Sequence, residues 1–158
     1  MNPKNKKFKI AIAGLGFGKK VHLEALKESN YLTPVAIYHY DKKQKSILEK
    51  ETGLEFFHDW EDLVKSQEID GIIIATPPES RFKLAKQALE NNKNLLLEKP
   101  VSITSSEIEE LQRISLINNL SVCVDFEYRA VPLFLQTKKL IDENILGEIY
   151  LVKLDWLM

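Results

Sequence analysis

Residues 10–20 read IAIAGLGFGKK: a short apolar run, glycines at 14, 16 and 18, then a lysine pair. An apolar strand that passes through a glycine turn into a helix opens a dinucleotide-binding α/β sheet, where the motif is Gly-x-Gly-x-x-Gly. Here the third glycine comes one residue early, and Lys19 holds the regular position. Gly14 is expected to make the tight turn. Gly16 is expected to let the backbone approach a pyrophosphate at the helix N-terminus. Gly18 is expected to take over part of the close helix–strand packing, with Lys19 pointing into water rather than at phosphates.

The glycine spacing alone leaves three readings open. Gly-x-Gly-x-Gly also suits S-adenosylmethionine-dependent methyltransferases, and a turn of this shape can bind nothing. Both nucleotide readings want an acid at the end of the second strand for the ribose hydroxyls. The sequence YHYDKK puts His39 there, with Asp41 two residues on and Lys42 and Lys43 after it.

Working outward, strand and helix signals alternate. Phe17 to Ser29 has helical spacing, and TPVAIYHY is a strand whose successor helix Asp41 can cap and Gly53 can end. LEFF is a short strand, and Asp59 caps a helix to about Ser66. DGIIIATPP is apolar without alternation, which suits a parallel strand covered on both faces. Ser80 to Glu90 is the next helix, ended by the left-handed pair Asn91-Asn92. NLLLEKP is another buried strand. Thr104 and Glu107 form a capping box for a helix toward Asn118, and SVCVDFEY is a sixth strand. This order predicts a doubly wound parallel α/β sheet, the Rossmann fold, over residues 1–126.

Residues 127–158 break the pattern. Pro132 opens a helix through Leu140, Ile141 and Ile145 to Gly147. EIYLVKLDWLM then alternates as a strand, with Tyr150, Val152, Leu154 and Trp156 on one face. We expect here the first helix and strand of an incomplete α+β second domain. The unpartnered strand is also a surface through which the chain could form a homo-oligomer.

The bulk numbers narrow the partners. With 22 basic and 23 acidic residues among 158, the net charge is −1, which excludes a general nucleic-acid binder. No apolar run reaches the length of a membrane span. The basic start leads into only Ile10 to Gly14, too short for a signal peptide, so a cytoplasmic location is expected. Cys123 is the single cysteine and is expected to be a buried, reduced thiol. No metal ligand set is expected.

LLLEKP places Glu98, Lys99 and Pro100 at the carboxyl end of a buried strand, the edge where open α/β sheets bind ligands. Pro100 is a candidate for a cis bond. A lysine at such an edge can hydrogen-bond a substrate hydroxyl and exchange its proton; a lysine at a strand end can equally reach solvent.

Taken together, GLGFGKKVH, ATPPESR, LLLEKP and DFEYRAVP resemble the nucleotide-binding half of the glucose-fructose oxidoreductase, inositol dehydrogenase and MocA family, over essentially the whole chain. The resemblance implies NAD(P)-dependent oxidation or reduction of a sugar, polyol or related hydroxylated small molecule. It implies that Lys99 is the catalytic lysine at the reacting oxygen, and that Glu98 and Pro100 shape the nicotinamide end. It assigns the pyrophosphate to Gly14, Gly16, Phe17 and Gly18, and further cofactor contacts to Thr76 and Pro77. Arg129 and Pro132 match the segment leading into the substrate domain.

There are departures. The family often has histidine where Arg81 stands, and Gly-Lys-His where Asn92-Lys93-Asn94 stand; Arg81 is expected to face phosphates or solvent. His39 replaces the usual ribose-binding acid and Lys42 follows, so the expectation leans to NADP over NAD. The family's partner acid or base comes from the second domain, and His22, His39 and His58 are not expected to replace it. A non-catalytic nucleotide-binding or sensing module is the main alternative, with the methyltransferase third.

Overall fold

Six strands pair in parallel in the computed structural model, which describes residues 7–155. They are β1 (Phe8–Ala13), β2 (Leu32–Tyr38), β3 (Glu55–Phe57), β4 (Gly71–Ile74), β5 (Asn94–Glu98) and β6 (Val122–Asp125), in the order β3-β2-β1-β4-β5-β6. The order reverses between β1 and β4, the position at which doubly wound sheets open a crevice. The predicted fold is thus present, strand for strand.

Period-two alternation decides what each face buries. Ala11, Ala13, Ile72, Ile74, Leu95 and Leu97 turn to one face, against α3 (Trp60–Lys65), α4 (Pro78–Glu90) and α5 (Ser105–Ile117). Ile12, Ile73 and Leu96 turn to the other, where Leu23 and Leu26 of α1 (Leu23–Lys27) cover them. Ile37 and Phe56 meet Leu48 of α2 (Lys45–Thr52). A run such as GIII is buried throughout because both faces are covered.

The helix ends follow their local chemistry. Asp59 accepts the Glu61 N–H at 2.7 Å, and Asp41 accepts the Lys43 N–H at 3.0 Å to start a short 3-10 turn before α2. Thr104 and Glu107 make the expected capping box. The helix α4 starts at Pro78, two residues before the expected Ser80, because proline's fixed φ suits the first helical position. Asn92 and Asn119 take positive φ, 60° and 52°, and end α4 and α5. The first helix opens as a π turn, Gly18–His22, before α1.

Beyond Asp125 the chain forms a second compact unit beginning at Phe126. It holds a 3-10 turn, Glu127–Ala130, and α6 (Pro132–Asp142). Here the sequence reading needs correction. The helix ends well short of Gly147, because Asn144 turns left-handed at φ 54°. Residues 148–155 form no strand, and Tyr150, Val152 and Leu154 are exposed; alternation supplies a face but no ladder of hydrogen bonds. Trp156 lies outside the described residues. Cys123 is exposed rather than buried. It lies on edge strand β6 and pairs with Leu96, on the α1 face but outside the cluster that α1 covers. No helix among the described residues is long and apolar enough to cross a membrane.

Lys93 ties the far edge of the sheet together. Its buried ammonium donates to the carbonyl oxygens of Ser66 at 2.6 Å and Ile69 at 2.8 Å. Burial lowers its pKa from the ordinary 10.5, while Asp70 pulls it back up. Between the lowered value and 10.5 the unfolded chain binds more protons than the folded one, so this contribution to stability rises with pH. Urea midpoints of wild type minus those of Lys93→Met should therefore be flat at neutral pH and climb toward pH 10.5. A difference that falls over that range would show a raised pKa instead.

Candidate functional site

The crevice lies where β1 and β4 end side by side. The Ala75 N–H donates to the Ala13 carbonyl at 2.7 Å, drawing the two loops together. Gly14 has φ +118°, and a Cβ there would lie 2.4 Å from the Ala75 carbonyl oxygen. Only glycine fits this position. A Cβ on Gly18 would press on Ile12 Cγ2 at 3.1 Å and Ala75 Cβ at 3.3 Å. Gly18 thus packs helix against strand, the task of the third glycine, one residue early. A Cβ on Gly16 would meet nothing within 4 Å: its backbone borders open space. Lys19 lies at the surface, part-exposed, with its ammonium paired to Glu51 of α2.

That open space is a cavity of about 760 Å³, a size suited to a small-molecule site. Gly14 to Gly16 form one wall, Thr76 and Pro77 another, and Tyr38, His39 and Tyr40 a third. No carboxylate stands at the end of β2. His39 Nδ1 accepts the Asp41 N–H at 3.2 Å, and its ring lies against Tyr40 with centroids 4.5 Å apart. The Asp41 carboxylate is engaged in capping. Lys42 is exposed on the 3-10 turn and is not part of the cavity wall. Burial and the nearby Asp59 raise the Tyr38 phenol above its ordinary 10.0, so it keeps its proton at neutral pH.

Lys99 follows β5 at the same edge, and the Lys99–Pro100 bond is cis, as the sequence suggested. Neither residue lines the cavity. Two buried side chains hold this turn, Glu98 and one that the sequence reading directed elsewhere, Arg81. Arg81, 4% exposed, faces neither phosphates nor solvent. Its guanidinium donates to the carbonyl oxygens of Glu98 at 2.5 Å, of Pro100 and of Thr76, joining the loops after β4 and β5. Burial lowers its pKa while Glu98 and Glu79 raise it, and arginine stays charged regardless.

On the opposite face, His22 Nε2 is 2.9 Å from Glu98 Oε1 and 3.7 Å from Asp125 Oδ2. Glu98 Oε2 accepts the Lys99 backbone N–H at 3.2 Å. A signal for His22 was present in the sequence: it lies four residues after Gly18, on the helix side that packs onto the sheet. Alternation likewise puts Glu98 on Leu96's face, under that helix. The ligand atoms of His22, Glu98 and Asp125 all lie within 4.8 Å of one another. A tetrahedral set around zinc would have N–O edges of about 3.3 Å; at 2.9 Å the His22–Glu98 contact has the length of a hydrogen bond. Phe17 is half exposed and meets the His22 ring edge-on at 5.3 Å. Arg129 lies in the 3-10 turn of the second unit, and Pro132 opens α6.

A family model described as an oxidoreductase family with an NAD-binding Rossmann fold matches residues 8–126. An uncharacterized oxidoreductase of Synechocystis sp. is 35% identical over 94% of this chain and 40% of its own length. The glucose-6-phosphate 3-dehydrogenase of Bacillus subtilis is 28% identical over 92% of this chain and 41% of its own. The crystal structure of scyllo-inositol dehydrogenase from Lactobacillus casei with bound NAD(H) and scyllo-inositol matches with a TM-score of 0.83 at 27% identity. That match covers 91% of this chain and 43% of the other. The chain thus spans less than half the length of each of these relatives.

The glycines should separate folding from binding. Gly14→Ala combines a strained φ with a backbone clash and should cost about 2–5 kcal/mol, read as a lower urea midpoint. Gly16→Ala should keep the wild-type midpoint within about 1 kcal/mol, because a methyl group there meets no neighbour. Equal losses from both would contradict this geometry.

Proposed function

This chain belongs to the oxidoreductase family of glucose-fructose oxidoreductase, inositol dehydrogenase and MocA, and on that premise we propose that it is the nucleotide-binding part of an NAD(P)-dependent enzyme acting on a sugar, polyol or related hydroxyl or carbonyl compound. The observation that carries the reading is the Lys99 turn: a lysine at the ligand-binding edge of β5, one strand from the glycine crevice, with its backbone held by buried Arg81 and Glu98. A strand-end lysine that merely reached solvent would not need this support.

The residues present fit a dinucleotide. Gly14, Gly16, Phe17 and Gly18 wrap the pyrophosphate, with Gly16 leaving the space that a Cβ would narrow. Thr76 and Pro77 line the cofactor, and Glu98 and Pro100 close the nicotinamide end. Bound NAD(P) supplies the hydride acceptor or donor. Lys99 Nζ hydrogen-bonds the reacting oxygen. In oxidation its neutral amine takes the hydroxyl proton as the C–O bond becomes C=O; in reduction the ammonium returns that proton to the oxygen. Residues 127–158 are read as the start of a second, substrate-binding domain, a reading supported by the greater length of the relatives. On this reading the chain alone binds cofactor with little or no turnover.

The finer reading of the cofactor is NADP. His39 stands where NAD would want a carboxylate, Asp41 is occupied in a cap, and Lys42 and Lys43 are exposed on the turn that follows. A 2′-phosphate offers these cations a charge-assisted partner.

Two measurements test this reading. In thermal-shift titrations, NADP(H) at a hundred times its Kd should stabilise the chain by about 2.7 kcal/mol, several degrees in Tm. His39→Asp should shift preference toward NAD by about tenfold or more. A shift with S-adenosylmethionine alone would replace the whole reading. In the protein that carries these residues, Lys99→Ala should lower kcat about a hundredfold or more while cofactor affinity stays within a few-fold. Unchanged turnover would leave a binding module without a catalytic lysine.

A further inference from the structure

The reading of Lys99 as the group at the reacting oxygen leaves a buried pair unexplained. His22 and Glu98 are each 7% exposed, and they hydrogen-bond across the sheet face beneath α1. A second carboxylate, Asp125, stands beside Glu98 in register on β6, with its Oδ2 3.7 Å from the same ring nitrogen. Stability alone argues against such a pair, since an apolar pair of similar volume would avoid the desolvation cost. The local backbone is also unusual. The π turn Gly18–His22 carries His22, and such widened turns concentrate at functional sites.

The connections from His22 lead both ways. Backward along the chain, its own turn begins at Gly18, two residues after Gly16 of the cavity wall. Forward, its Nε2–H donates to Glu98 Oε1, and Glu98 Oε2 accepts the backbone N–H of Lys99. We propose that His22 is a positioning residue for Lys99. Through Glu98 it fixes where the Lys99 backbone leaves β5, and so where the amine stands relative to a dinucleotide held by the glycine turn. His22 touches neither substrate nor cofactor in this role, and the role rests on the assignment of Lys99 made above.

Acetylation of Lys99, followed by peptide mass spectrometry with and without NADPH, tests the idea in this chain. A Lys99 amine covered by cofactor should be labelled about tenfold more slowly with NADPH at ten times its Kd. In His22→Leu the Kd should stay within about threefold of wild type, yet protection of Lys99 should fall below about twofold at the same occupancy. His22→Gln, whose amide can still donate to Glu98, should restore it. If His22→Leu does not fold, His22→Met reads the same link, because its thioether has no proton to donate to Glu98. Full protection in His22→Leu, or in His22→Met where that substitutes for it, would overturn the proposal. So would a loss of protection that only tracks a lower melting temperature and is not rescued by His22→Gln. A wild-type chain that binds NADPH without protecting Lys99, or does not bind it, removes the reading of Lys99 itself, and this inference with it.

Discussion

The crevice depends on how closely two loops can pass. The Ala75 N–H bonds to the Ala13 carbonyl at 2.7 Å, which leaves no room for a side chain on the residue that follows Ala13. Gly14 therefore turns at φ +118°, a conformation that an L side chain rarely adopts. Both facts serve the same end: β1 and β4 stay paired to their last residues, and their loops then part to leave a cavity. The open face at Gly16 and the packed face at Gly18 follow from the direction that Gly14 sets.

The sheet was legible because burial writes itself into composition. GIII and LLL cannot alternate, so each belongs inside a two-faced parallel sheet. Asp59, and Thr104 with Glu107, marked helix starts because an unpaired N–H at a helix end needs an acceptor nearby. The glycine turn and the Lys99 edge were legible for a similar reason: each is a local requirement carried by a few consecutive residues.

What the sequence hid is what depends on long-range pairing. Arg81 reads as a surface residue on a helix until α4 is laid against the ends of β4 and β5 and its guanidinium meets three carbonyls. His22 reads as one more polar residue of a short helix until Glu98, 76 residues on, arrives beneath it. Cys123 sits in a buried-looking run, yet an edge strand is covered only where something lies over it. The alternation of residues 148–155 defined a face and no partner, and without a ladder it is not a strand.

Arg81 also limits how the crevice can move. One guanidinium holds a carbonyl of the loop after β4 and two of the turn after β5, from a position almost out of contact with water. Separating those loops would strip a buried cation of its acceptors, at several kcal/mol. They behave as one rigid jaw. Across the cavity Tyr40 is exposed, and the turn after it is held by the Asp41 cap. The lysine turn is therefore tied to the crevice loop through one side chain, and neither can shift without the other.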